Sequence, residues 1–283
     1  MSNFCIKNYE VIVPEIINDA FYANNSNSGK IASIRRYTEV IVRKILNWKD
    51  GEKFTLGNKR TQKEIGSKSI FLFRAVDTIR NYGNDASHTE FLQSFCDEDM
   101  KRVLDALFNL LAYMFIDYFE KYPVGIDTNQ EVLDTFSLLP PVIRYKTFSY
   151  LFHSNPENIY IADRLVLSII KTFDKEAAEQ WLEGHRTILL PIKYPSRELK
   201  RSIVEEYGEE FAKIRFDDLP YKNAYELCRF KAEQVGEHIE HHGKLYETFE
   251  EAKSYYRQWR PNDATPELAE LLSIMDFVYL GRA

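Results

Sequence analysis

Cysteine is scarce in this sequence. Cys5, Cys96 and Cys228 are the only three in 283 residues, odd in number and far apart. That spacing argues against a disulfide framework and gives a structural zinc no paired thiols. Long apolar runs are missing too. The most apolar stretch, Leu107 to Phe119, is interrupted by Asn109 and Asp117, so no segment is expected to span a membrane. The first residues, MSNFCIKNYEVIVPE, lack a basic-then-apolar leader pattern, and the expected location is cytoplasmic. The chain has no Gly-x-x-x-x-Gly-Lys-Ser/Thr loop, no Gly-x-Gly-x-x-Gly turn, no His-Glu-x-x-His and no Gly-x-Ser-x-Gly elbow. Phosphate-cradling loops and the common hydrolase motifs are thereby set aside. No internal repeat or low-complexity tract is present, and strand signals are sparse.

What remains is a globular composition. Hydrophobic residues make up 45% and charged residues 28%, enough apolar material for a sizeable core. With 18 Tyr and 19 Phe, that core is expected to be aromatic. The net charge of −6 gives no general attraction to nucleic acid, but it is unevenly distributed. Lys30 to Arg80 holds 13 Lys/Arg against 5 Asp/Glu, a local balance of +8. Such a segment forms either a phosphate-attracting surface or an ordinary pair of solvated helix faces.

Apolar periodicity predicts an all-α fold. Pro14 to Tyr22 reads as a short helix with proline in its first turn. Ala23 to Gly29 reads as a loop, and Lys30 to Trp48 as a strong helix with Ile31, Ile34, Val42, Ile45 and Leu46 on its apolar stripe. Thr61 to Ile65 is a short helical turn. Ser69 to Arg80 is the next helix, closed by Gly83 in the left-handed conformation. Asp97 to Lys121 is the longest helix. A domain boundary is expected at 125/126. Beyond it, Ile143–Phe152, Ile159–Phe173, Lys175–Leu182, Arg197–Ile214, Asn223–His241, Phe249–Trp259 and Glu267–Tyr279 read as helices, with Leu189–Tyr194 the best strand candidate.

One segment combines groups suited to chemistry: Arg80-Asn81-Tyr82-Gly83-Asn84-Asp85-Ala86-Ser87-His88. Arginine carries a permanent, forked charge that fits a phosphate. Histidine titrates near neutrality and can give or take a proton. A helix-turn-helix crossing that places both on one face suits RNA cleavage without metal. A 2′-hydroxyl attacks the adjacent phosphorus, the imidazole removes its proton, and the guanidinium stabilises charge on the phosphoryl oxygens. Structural roles are open to the same residues: Arg80 at a helix C-terminus, His88 as a fastened core histidine, Asn84 as a turn former, and Arg36 with Glu39 as an i,i+3 ion pair.

Three stretches carry a family resemblance: Ile34 to Val42 (IRRYTEVIV), Phe54-Thr55-Leu56-Gly57, and Ile79-Arg80 through Gly83-Asn84 to His88. Together they resemble a widespread bacterial domain of unknown function placed with the HEPN (higher eukaryotes and prokaryotes nucleotide-binding) superfamily. The resemblance covers Pro14 to Lys121. It implies a helical bundle, often dimeric with a composite cleft, in toxin–antitoxin, abortive-infection and restriction systems. Active members are metal-independent ribonucleases with an Arg, four to six residues, then His. Here seven residues intervene, and the Arg-x-x-Gly-Asn-x-x-x-His form is typical of the uncharacterised branch. The resemblance implies a catalytic set of Arg80, His88, Asn81 and Asn84, with Arg36, Glu39, Arg35 and Asp85 as substrate-binding residues. No cofactor or metal is called for, and the expected partners are RNA, a second copy of the chain and a partner protein of a defence system. Residues 126–283 would then regulate activity or bind the partner. The alternative is a non-catalytic helical interaction or adaptor module in a defence or restriction complex.

Two further groups stand out. His238 and His242, beside His241, have the i,i+4 spacing that can hold zinc on a helix, without an evident distant ligand. Trp181, Trp259, Tyr255 and Tyr256 suit either base stacking or core packing.

Overall fold

The segment around Pro14 forms helix α1 (Ile12–Ile17), which runs directly into a π-helical turn at Asn18–Tyr22. A computed structural model describes residues 4, 9–49, 52–87, 94–262 and 264–283. Helix α2 (Asn27–Ile45) starts three residues earlier than periodicity suggests, because the Ser26 hydroxyl accepts the Gly29 N–H and caps it. It ends ahead of Asn47, whose φ of 57° lies in the left-handed region. Helix α3 spans Lys59–Lys68, capped by Asn58. Helix α4 spans Ile70–Ser87 and α5 spans Asp97–Lys121. Asp97, Glu98 and Asp99 in the first turn of α5 complement the helix dipole.

Helix α6 (Gln130–Ser137) follows, then α7 (Pro141–Ser154), α8 (Ile159–Thr172), α9 (Lys175–Gly184), α10 (Arg186–Leu189), α11 (Arg197–Tyr207), α12 (Glu209–Phe216) and α13 (Ala224–His242). Helices α14 (Phe249–Trp259) and α15 (Pro266–Tyr279) complete the order. The protein is all-α: among the described residues the only β-type pairing is an isolated bridge between Lys193 and Asn223. The strand expected at Leu189–Tyr194 is therefore the end of α10 and a turn. The helix expected over Arg197–Ile214 is two helices, because Gly208 turns the chain with φ +87°.

The chain forms two compact units. Unit 1 takes Met1–Lys121, Glu131–Leu139 and Thr248–Ala283; unit 2 takes Tyr122–Gln130 and Pro140–Glu247. A single boundary at 125/126 does not describe this layout, because α6, α14 and α15 return to unit 1. Their apolar faces explain the return. Phe136 of α6 lies 4.9 Å from Phe119 and 5.3 Å from Phe115 of α5. Phe277 of α15 stacks on Tyr37 of α2 at 6.2 Å, and Tyr279 donates a hydrogen bond to the Leu138 carbonyl at 2.6 Å. Each such aromatic removes enough apolar surface from water to contribute roughly 1.5–3 kcal/mol. Gly281, at φ +75°, is where the chain passes Pro14: a Cβ there would sit 2.6 Å from the Pro14 Cα. Arg282, nearly buried, then lies over the rings of Phe21 and Phe249 at 4.2 and 4.3 Å.

Unit 2 is built around α8. Its residues Ile161, Ala162, Leu165, Val166, Ile169 and Ile170 are buried, with α7, α9 and α13 against it. Lys231 of α13 pairs with Asp163 of α8 at 2.6 Å. The Asn158 side chain caps α8 and also donates to the Val124 carbonyl at 2.7 Å.

Tyr37 supplies a stability test. Its hydroxyl is buried without a hydrogen-bond partner, and burial pushes its pKa up to about 12. Removing an unsatisfied hydroxyl while keeping the ring costs little. Tyr37→Phe is expected to leave unfolding free energy unchanged or raise it by up to ~1 kcal/mol, read by urea denaturation. A loss of more than ~1 kcal/mol would mean that the hydroxyl is satisfied in solution.

Candidate functional site

Helix α4 carries the site and corrects the sequence reading of its glycine. It does not stop at Gly83 but continues to Ser87, so Gly83 is a buried, mid-helix residue rather than a left-handed cap. Its function is close approach. A Cβ at Gly83 would lie 2.7 Å from the Arg35 Cβ, 2.4 Å from its Cδ and 2.9 Å from its Cγ. The stem of Arg35 on α2 therefore lies directly against the α4 backbone. The Ser28 hydroxyl donates to the Ala86 carbonyl at 3.1 Å. With Ser28 by Ala86 and Arg35 by Gly83, α2 and α4 run antiparallel. A mid-helix glycine costs about 1 kcal/mol in helix propensity, which the α2–α4 packing offsets.

Arg80 is consequently nearly two turns inside α4, not in its last turn. Its Nη2 lies 2.6 Å from Asp77 Oδ1 and 3.0 Å from Asn81 Oδ1. Asn81 Nδ2 in turn donates to Asp77 Oδ2 at 3.2 Å. The result is a three-residue polar network on one face, with the Arg80 side chain 24% exposed. Its Nε is buried without a partner. One turn further on, Asn84 is half-buried and Asp85 exposed. His88 lies outside the described residues.

On α2, Glu39 forms its ion pair with Arg35, at 3.6 Å, rather than with Arg36. Arg36 is exposed. Burial raises the Glu39 carboxyl above its ordinary pKa, against the opposing pull of Arg35, Arg43 and Arg36. The structure thus brings Arg35 and its partner Glu39 to the same helix crossing as the Arg80–Asn84 stretch. Sequence reasoning missed Asp77 as the partner of Arg80, although its i,i+3 and i,i+4 spacing to Arg80 and Asn81 was available as a signal. It also missed Arg102 of α5, whose Nη1 donates to the Tyr82 hydroxyl at 3.3 Å. Nothing in the sequence marks that contact.

The basic segment is partly absorbed by structure. Lys44 is nearly buried and lies over the Tyr9 ring at 4.5 Å. Arg43 donates to the Lys49 and Glu52 carbonyls at 3.0 and 2.8 Å. Arg60 pairs with Glu64 at 2.8 Å, and Lys68 approaches Asp117 at 3.9 Å. Of the remaining groups, His238 and His242 stack on each other at 4.6 Å on α13. Among the described residues no group of three or more His, Cys, Asp or Glu side chains converges as a metal site. Trp181 stacks on His185 at 4.3 Å, and the buried Tyr256 donates to Asp276 at 2.7 Å. Trp259 is 62% exposed. No helix among the described residues is long and apolar enough to cross a membrane.

Compared with known proteins, the chain matches no family model, no curated protein and no solved structure.

Two outcomes test this geometry. Gly83→Ala forces the Arg35 stem and the two helices apart, and is expected to lower stability by about 1–3 kcal/mol despite better helix propensity; calorimetry or urea denaturation reads it, and a gain in stability would refute the contact. For Glu39 the raised folded-state pKa means that its contribution is present below about pH 4.3 and is lost as pH rises through the folded value. Glu39→Gln should therefore gain stability relative to the parent between pH 4 and pH 7, and a difference independent of pH would contradict the burial argument.

Proposed function

We propose that this protein is a HEPN-like, metal-independent endoribonuclease, working as the effector of a bacterial antiphage defence or toxin system. The carrying observation is Arg80, presented part-exposed on α4 by Asp77 and Asn81 with both described bonds made through Nη2. Its Nη1 edge remains for a phosphoryl oxygen. The family resemblance of the Arg80 to His88 run supplies the rest of the reading. His88 takes the proton from a 2′-hydroxyl as that oxygen attacks phosphorus, and the 5′-oxygen leaves with a proton drawn from water, giving a 2′,3′-cyclic phosphate and a 5′-hydroxyl end. Arg80 stabilises the charge that builds on the phosphoryl oxygens. Asn81 and Asn84 orient the phosphate, while Arg35, Arg36, Glu39 and Asp85 line the path of the RNA. A homodimer doubles the site, and unit 2 regulates it or binds the partner of the defence system.

The Asp77–Arg80 contact of 2.6 Å and the Arg35–Gly83 packing favour a second reading, in which this corner only holds the bundle together and the chain is a non-catalytic interaction module. Incubation of structured RNA and tRNA with the protein in EDTA separates the two. On the first reading Arg80→Ala and His88→Ala each lower cleavage about 100-fold or more with little change in melting temperature. On the second, no cleavage occurs that either variant removes, and Arg80→Ala lowers the melting temperature.

A further inference from the structure

We propose that unit 2 carries a binding site for a small phosphomonoester, in the cavity between the start of α7 and the end of α8. The cavity measures about 330 Å³, and its lining includes Pro141, Lys171, Thr172, Lys244, Tyr246 and Glu247. That volume sits at the small end of ligand pockets, roughly 300–1,000 Å³, so it suits a metabolite rather than a nucleic-acid strand or a protein segment. All of these residues belong to unit 2, and the inference does not depend on the ribonuclease reading.

The charge inside is what identifies the ligand. Lys171 and Lys244 both line the cavity, against one acidic residue, Glu247. Lys244 Nζ donates to the Phe173 carbonyl at 3.3 Å, which leaves its charge uncompensated by that bond. Among the described residues Lys171 has no ion pair. Arg144, itself nearly buried, donates from Nη2 to the Tyr246 hydroxyl at 3.3 Å. The Thr172 hydroxyl is buried with no hydrogen-bond partner. The first turn of α7, opened by Pro140 and Pro141, turns the positive end of a 14-residue helix towards the same space. A monoanionic carboxylate would answer one of these cations; a phosphate dianion answers both lysines and offers three oxygens to the remaining donors. The proline wall gives the carbon part of an ester an apolar surface.

The protonation of Lys171 agrees with this arrangement. Its pKa falls to about 8, first through burial and then through repulsion by Arg144 and Arg164. The attraction of a bound dianion for the ammonium outweighs the burial and offsets the repulsion, so binding should draw a proton onto Lys171 near pH 8. Calorimetric titration of the full chain with glycerol 1-phosphate at pH 8, in two buffers of different ionisation heat, is expected to show saturable binding with uptake of about half a proton. At a concentration tenfold above Kd the melting temperature should rise by about 3–5 °C. Lys171→Gln should weaken binding tenfold or more and remove the proton uptake. Lys244→Gln, in the loop after α13, should weaken binding as well and serves if the first variant does not fold. Inorganic phosphate should compete, and acetate at equal ionic strength should not. Equal binding by the parent and both variants, binding of acetate as tight as that of the ester, or no saturable binding of ester or phosphate overturns the proposal.

Discussion

The missing side chain of Gly83 lets the stem of Arg35 rest against the backbone of α4, and the polar face of that helix takes its direction from this contact. With α2 and α4 held so close, rotation of either about its axis would drive Arg35 into the neighbouring turn. Arg80 and Asn81 lie within one turn of the contact and Asn84 follows it directly, so their azimuth on the helix is set by packing rather than by their own hydrogen bonds. Surface ion pairs such as Asp77–Arg80 contribute about 1 kcal/mol or less. That is too little to orient a helix, but enough to hold one side chain in a chosen rotamer once the helix is placed.

The same economy of roles appears in the basic segment. Some of its charges, on Arg35, Arg60, Lys68 and Arg80, are held in ion pairs, and others fall into two further groups. Lys44 and Arg43 lay their stems and heads on aromatic rings or backbone carbonyls and so act as packing residues with a charged end. Arg36 and Arg74 are exposed and contribute field rather than contacts. A sequence count weighs both groups alike, which is why the local excess of positive charge overstates what an approaching phosphate would meet.

The helix inventory was legible in the sequence because caps and apolar periodicity agree for most of the chain. The longest helix, α5, has the expected bounds, its acidic first turn and its Val103–Phe119 stripe pointing the same way. Reading failed where one residue type has two physical uses. Gly83 and Gly208 look alike in a sequence, yet Gly208 turns the chain at φ +87° while Gly83 admits a neighbouring side chain. The departure of the chain from unit 1 and its return were hidden for a different reason: α15 is apolar on nearly every side, and that composition says it is buried but not against what. In the site, Arg80, Asn81 and Asn84 were visible as residue types. The i,i+3 spacing of Asp77 to Arg80 lay within the expected helix and was legible, whereas the helical placement of Asn81 and Asn84 was not, since the helix was expected to stop before the glycine and in fact runs to Ser87.

The discontinuity of unit 1 also orders events during synthesis. The first 121 residues supply α2, α4 and α5, but Tyr37 meets Phe277 only after α15 has been made. At roughly 5–20 residues per second, that delay is on the order of 8–30 s. Unit 2, a nearly unbroken span of chain, can complete its own core within that interval. The face of α2 that receives Phe277 therefore lacks its cover until α15 has been made.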